Sequence, residues 1–99
     1  MKKLVRDKIP QIIEKDGKTP IIHIASDSEY SKRLKDKLKE EVKEFLKEDN
    51  EEELADILEV IEAIIANKRF SMNKLLLLKE NKRNINGGFR DKIVLDKIK

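Results

Sequence analysis

Acidic residues are concentrated in one segment of a chain whose overall charge is positive. Residues 40–56 contain nine Asp and Glu but two Lys, so the segment carries −7, whereas the 99-residue chain carries +3. Within it, Glu41 and Glu44 are three residues apart, and so are Glu53 and Asp56. On a helix, this spacing places both members of a pair on one face. The segment therefore presents two acidic pairs that can act together.

Four carboxylates brought together repel one another, and a divalent cation would relieve that repulsion. Oxygen ligands with room for water suit Mg²⁺ or Mn²⁺. His23 is the only histidine and Cys is absent, which argues against a zinc site. The two acidic pairs therefore fit a magnesium or manganese site.

The same acidic residues also fit a plain solvated surface. Glu51, Glu52 and Glu53 fall in the first turn of a predicted helix, where negative charge complements the helix dipole. Asn50 and Glu53 have the spacing of a capping box. Acidic side chains on the preceding helix alternate with lysines, as they do on many exposed helices. Spacing alone leaves both interpretations open.

Helical periodicity dominates the middle of the chain. Ser26 and Glu29 have capping-box spacing, and an apolar stripe then recurs at helical intervals up to about Glu48, with Tyr30, Leu34 and Leu46 among its members. A two-residue turn at 49–50 leads into a second long helix, with Asn50 as its N-cap and Leu58 in its apolar stripe. So short a turn predicts an antiparallel hairpin.

Shorter elements flank this hairpin. We expect a short helix with Pro10 in its first turn, ending near Gly17, and a third long helix that begins after Ser71 and stops before Gly87. The β-branched segments 20–25 and 92–96 predict short extended stretches that pair as a ribbon. The predicted fold class is all-α, an antiparallel helical bundle in a single domain spanning residues 1–99.

Composition bears on assembly and location. With 38% hydrophobic residues and four aromatic side chains, the core of one copy would be thin, so we expect a homodimer. Leu75–Leu78 cannot all face one side of a helix, which also favours a subunit contact. No apolar run reaches membrane length, and charged residues 6–8 interrupt any leader-like apolar region. We therefore expect a cytoplasmic protein with no membrane partner.

Basic residues near both ends are candidates for binding phosphate. At the N-terminus these are Lys3, Arg6 and Lys8, and near the glycine turn they are Lys82 and Arg83. Arg offers a planar fork and Lys a compact charge to phosphate oxygens. Phe89 could stack on a nucleobase or pack into the core. In a chain with 23 basic residues, the same cations also fit an ordinary solvated surface.

The combined motifs resemble those of a known enzyme family. The resemblance lies in EEVKE at residues 40–44, ELAD at 53–56, KLVRDKIPQII near the N-terminus and GGF at 87–89. These motifs are similar to a small subfamily of MazG-like nucleoside triphosphate pyrophosphohydrolases, related in fold to phosphoribosyl-ATP pyrophosphohydrolases.

The resemblance implies an all-helical fold and hydrolysis of a nucleoside triphosphate to a monophosphate and pyrophosphate, in nucleotide-pool housekeeping. It also implies Mg²⁺ held at Glu41, Glu44, Glu53 and Asp56. Glu41 or Glu44 is then the candidate general base, and the residues do not decide between them.

Two other functions fit parts of the sequence. The residues outside the acidic segment sum to +10, which fits a nucleic-acid-binding helical module. Sparse aromatic residues and the acidic hairpin argue against that function, so no nucleic-acid partner is expected. A dimeric interaction module without catalysis is the other alternative.

Overall fold

Four helices form the regular secondary structure of residues 2–99, the part of the chain described by this computed structural model. They are α1 (Ile9–Lys15), α2 (Asp27–Glu48), α3 (Glu51–Lys68) and α4 (Met72–Asn86). No strand is formed in this range, so the predicted all-α class is confirmed. None of these helices is both long enough and apolar enough to cross a lipid bilayer.

Side-chain caps fix the starts of the three longer helices. The side-chain oxygens of Ser26, Asn50 and Ser71 each accept a hydrogen bond from the backbone N–H three residues later, at 3.0–3.2 Å. Each bond satisfies an N–H group that has no partner within the helix. All three predicted N-caps are therefore confirmed. The predicted short helix also forms, with Pro10 in its first turn.

The two longest helices pack as the predicted antiparallel hairpin. Asp49 adopts a left-handed conformation with φ of 53° and donates its backbone N–H to the carbonyl of Phe45. At the open end of the hairpin, the Asn67 amide donates to the Ser31 hydroxyl at 2.8 Å. This register places the C-terminal half of α2 against the N-terminal half of α3.

Few side chains are buried in the hairpin. Leu34 and Val60 are 2% and 8% exposed and form its apolar core. Other members of the predicted apolar stripes stay in solvent, including Leu46 at 75% and Leu58 at 62%. Each stripe is wider than the contact with one neighbouring helix, because such a contact covers only part of a helix surface. A single copy therefore leaves a large apolar surface uncovered.

The chain divides into two compact units, Met1–Lys68 and Arg69–Lys99. The second unit contains α4, which ends at Asn86 and is followed by Gly87 as its C-cap, with a φ of 87°. None of the side chains of α4 is buried, and Leu76, Leu77 and Leu78 are all exposed.

The predicted ribbon is wrong. Residues 18–26 and 92–99, which contain the two predicted extended stretches, have no regular secondary structure. Ile21 and Ile24 in the first segment, and Ile93 and Val94 in the second, are exposed. A two-stranded ribbon is marginally stable unless one face packs against a core. These segments have the residue types of strands but bury none of these side chains.

Candidate metal and phosphate site

Three of the four predicted metal ligands meet in the half of the hairpin that is nearer its turn. Glu41, Glu53 and Asp56 each offer a carboxylate oxygen, and these oxygens all lie within 4.8 Å of one another. Glu41 comes from α2, whereas the other two come from the first two turns of α3. The antiparallel register brings them together although they are distant in sequence. We call these three residues the acidic cluster.

Glu44, the fourth predicted ligand, lies outside this group. Its side chain is exposed on α2, about one helical turn beyond Glu41. Its charge nevertheless contributes to raising the pKa of Glu53. Glu44 therefore lies near the acidic cluster, but its carboxylate is not among the three whose oxygens lie within 4.8 Å of one another.

Repulsion within the acidic cluster disfavours the state in which all of its carboxyl groups are ionised. Partial desolvation raises the pKa of Glu53, and the charges of Asp56, Glu41, Glu44 and Glu48 raise it further. Glu41 is only 9% exposed and is paired with Lys37, whose Nζ lies 3.3 Å from a Glu41 oxygen. Lys37 thus neutralises part of the charge that the cluster concentrates.

The N-terminal segment brings two of the predicted phosphate-binding cations to this region. Arg6 donates from Nη2 to Oδ1 of Asp56 at 2.7 Å. Lys3 Nζ lies 3.4 Å from an oxygen of Glu40, and the carbonyl of Lys2 accepts from Arg33 at 3.3 Å. These contacts hold the segment across the hairpin, with Arg6 directly on the acidic cluster.

The charge of Glu40 is balanced by two lysines. Partial burial acts to raise its pKa, but hydrogen bonds and charge from Lys37, at 3.1 Å, and from Lys3 outweigh burial and lower it. Glu40 is therefore held ionised beside the acidic cluster.

The other predicted cations occupy different places. Lys8 is exposed at the N-cap of α1 and does not line the groove described below. Lys82 and Arg83 are exposed near the end of α4, in the second unit. Phe89 is 99% exposed, so the alternative that it packs into the core is wrong.

A groove of about 500 Å³ opens beside the acidic cluster. Glu41, Asp56 and Glu59 line it, and residues 3–7 of the N-terminal segment contribute to its walls. Tyr30 and Leu34 on α2 and Ala63 on α3 extend the lining toward the open end of the hairpin. The groove thus combines charged and apolar surfaces.

Two residues of the groove were missed as site residues from the sequence. Lys37 counted among the solvated lysines, although its spacing of four residues before Glu41 is that of a helical ion pair. Tyr30 counted as part of the apolar stripe of α2. Its place in the groove depends on the packing of α3 and the N-terminal segment, which local sequence does not encode.

His23 takes part in a separate ion-pair network. Its Nε2 lies 2.9 and 3.0 Å from the two carboxylate oxygens of Glu29, and Arg33 donates to the same carboxylate at 3.1 Å. The hydrogen bond with His23 lowers the pKa of Glu29, partial desolvation opposes it, and Arg33 adds to the lowering. His23 is more than half exposed and does not line the groove.

Comparison with known proteins gives one partial match. No family model matches the chain, and no solved structure matches it significantly. A stretch of 38 residues is 50% identical to an uncharacterised protein of Mycolicibacterium smegmatis. The match covers 38% of this chain and 39% of that relative, whose name states no activity. These comparisons therefore assign no activity to the chain.

Proposed function

We propose that the chain is a Mg²⁺-dependent nucleoside triphosphate pyrophosphohydrolase, which converts a nucleoside triphosphate and water into a monophosphate and pyrophosphate. The observation that carries this proposal is the convergence of Glu41, Glu53 and Asp56, with oxygens within 4.8 Å, beside the guanidinium of Arg6. The resemblance of the sequence motifs to MazG-like enzymes supports the same activity.

The donor set of the acidic cluster fits a hard divalent cation. All of its donors are carboxylate oxygens, which Mg²⁺ and Mn²⁺ prefer. The raised pKa of Glu53 reflects a negative charge that a cation would compensate. Bound there, Mg²⁺ would neutralise charge on polyphosphate oxygens and make a water molecule more acidic.

Glu41 and Glu44 have different environments, which suggests different roles. Glu41 is nearly buried within the acidic cluster, so we assign it as a ligand. Glu44 is exposed and outside the cluster, which leaves its carboxylate available to accept a proton from the attacking water. We therefore propose Glu44 as the general base.

Arg6 and Lys3 are the groups best placed to bind the polyphosphate. Arg6 already contacts Asp56 at 2.7 Å, so its guanidinium lies next to the proposed cation site. A guanidinium can bind phosphate through two parallel hydrogen bonds, whereas the Lys3 ammonium supplies a point charge. Both residues line the groove that a substrate would enter. Roles for Lys8, Lys82 and Arg83 remain predictions.

We also propose that two copies associate into a MazG-like bundle. A hairpin with two buried apolar side chains has too little core to be stable alone. Val42, Leu46, Leu54, Leu58 and Ile61 leave apolar surface on both helices of the same hairpin. Packing this surface against a second hairpin would give a four-helix arrangement with a core of ordinary size.

A Mg²⁺ assay against a panel of normal and modified nucleoside triphosphates tests the activity. Monophosphate and pyrophosphate should form only with metal present. Glu53→Gln should reduce the rate by about a hundredfold or more, because it removes a charged ligand. Glu52→Gln is the matched control, since it makes the same change at an exposed neighbouring position. A metal-bound but inert protein would instead favour the interaction module, and salt-sensitive binding of oligonucleotides would favour the nucleic-acid module.

A further inference from the structure

The groove continues from the acidic cluster toward Tyr30. Along α2, Tyr30, Leu34, Lys37 and Glu41 recur at intervals of four, three and four residues, so they share one face of the helix. All four line the groove. Tyr30 and Glu41 are eleven positions apart, which corresponds to about 16 Å along the helix axis. That length is comparable to the span of an extended nucleoside triphosphate.

The two ends of this face differ in chemistry. Near Glu41, the groove is lined by two members of the acidic cluster, Glu41 and Asp56, together with Lys37 and Arg6. Toward the open end of the hairpin it contains Leu34, the ring of Tyr30 and, on α3, Ala63. A ligand that matches both ends has an anionic tail, bound with a cation, and a flat ring with apolar faces. A nucleoside polyphosphate has this construction.

We infer that Tyr30 stacks on the nucleobase of the substrate and makes binding tolerant of base identity. This inference depends on the proposed function, because the base reaches Tyr30 only if the phosphates lie at the acidic cluster. Tyr30 is partly exposed, so its ring is accessible from the groove. Every base has a stacking face, so recognition by a ring is tolerant of base identity. We expect affinities for the common bases to fall within about tenfold of one another.

The composition of the chain gives a direct readout of this contact. Tyr30 is the only tyrosine, and tryptophan is absent, so tyrosine emission reports on this residue alone. A nonhydrolysable nucleoside triphosphate added with Mg²⁺ should quench that emission, after correction for absorption by the nucleotide. Inorganic tripolyphosphate, which carries the same anionic groups without a base, should bind with little quenching.

Two substitutions separate the ring from the hydroxyl. Tyr30→Leu should lower the affinity for the nonhydrolysable nucleotide about tenfold or more, as expected for the loss of base stacking. Tyr30→Phe keeps the ring and should stay within about threefold of wild type. Calorimetry should show unchanged affinity for tripolyphosphate and Mg²⁺ in both variants. Phe89→Leu, at an exposed ring in the second unit, is the control.

Each outcome bears on a different claim. If Tyr30→Leu weakens nucleotide and tripolyphosphate binding equally, Tyr30 acts only through the fold, and the inference is wrong. Unchanged nucleotide affinity in a folded Tyr30→Leu protein also overturns it, while metal-dependent tripolyphosphate binding leaves the proposed function standing. If wild type binds neither ligand with Mg²⁺, the proposed function fails and the inference with it. Far-UV circular dichroism of the variants identifies any loss of folding.

Discussion

Replacing Asp56 by Asn tests the metal site through stability rather than activity. Asp56 has two opposing kinds of electrostatic contact in the metal-free protein. Its Oδ1 accepts a hydrogen bond from Arg6 at 2.7 Å, which stabilises the fold. It also offers an oxygen within 4.8 Å of oxygens from Glu41 and Glu53, which destabilises the fold by repulsion between like charges. The amide substitution removes both effects with little change of shape.

The two effects nearly cancel. Two unit charges 4.8 Å apart repel by about 1 kcal/mol in bulk water and about 3.5 kcal/mol at an effective dielectric constant of 20. The Asp56 side chain is 38% exposed, so the low value applies to its repulsion by Glu53, and Lys37 offsets most of the repulsion by Glu41. The Arg6 side chain is 56% exposed, and exposed ion pairs contribute about 0–1 kcal/mol. Without metal, Asp56→Asn should change the free energy of unfolding by less than about 1 kcal/mol.

Metal should stabilise wild type more than it stabilises Asp56→Asn. At a concentration of Mn²⁺ or Mg²⁺ a hundred times the dissociation constant, wild type should gain about 2.7 kcal/mol. For a domain of this size, that gain corresponds to a rise in Tm of about 10 °C or more. Asp56→Asn should gain less than half of this amount. Asp36→Asn, an exposed position on α2, should respond to metal like wild type.

Thermal and chemical unfolding followed by circular dichroism, with and without metal, provide these values. Equal stabilisation of wild type and Asp56→Asn by metal would show that the cation binds elsewhere. A loss of more than about 2 kcal/mol in metal-free Asp56→Asn would show that the Arg6 contact dominates, contrary to the balance derived above.

Four further predictions address the neighbouring residues and the assembly. The pKa of Glu53 is raised above its ordinary value of 4.5, so its ionisation destabilises the fold. Metal-free Glu53→Gln should therefore be more stable than wild type at pH 7, and in a urea-unfolding series this advantage should shrink as the pH falls and disappear below pH 4.5. Arg6→Gln should weaken tripolyphosphate binding about tenfold or more in calorimetry while leaving Mn²⁺ affinity equal or higher, because Asp56 loses a competing partner. Glu44→Gln should lower the hydrolysis rate about a hundredfold without changing metal affinity, and a loss of metal affinity would make Glu44 a ligand instead. Leu58→Glu should convert a dimer into a monomer in light scattering coupled to size exclusion, and a monomeric wild type would refute the proposed bundle.

The sequence predicted the parts of the fold that depend on local signals. Ser26, Asn50 and Ser71 each satisfy a backbone N–H three residues away, so their effect is visible in a short window. The same applies to the two-residue turn that makes the hairpin antiparallel. The ribbon prediction failed because β-branched residues favour strands only where a partner and a core are present.

The acidic cluster was only partly predictable. Helical spacing placed each acidic pair on one helix face, but bringing the oxygens of Glu41 and Glu53 together requires the register between α2 and α3. The contact of Arg6 with Asp56 joins residues 50 positions apart, and no periodicity encodes it. The groove depends on the same long-range packing. These long-range contacts are visible only in the three-dimensional structure, whereas the two acidic pairs are visible in the sequence.

The products of the reaction test the central claim most directly. Wild-type protein, a nucleoside triphosphate and Mg²⁺ in ¹⁸O-labelled water should give monophosphate and pyrophosphate in equal amounts by ³¹P NMR, with the label in one of these two products. Chelation of the metal, or Glu53→Gln, should suppress both signals together. Nucleoside diphosphate with labelled orthophosphate would mean that the terminal phosphate is removed instead. That result, or no turnover of any triphosphate by a protein that binds Mg²⁺ at the acidic cluster, would contradict the proposed function.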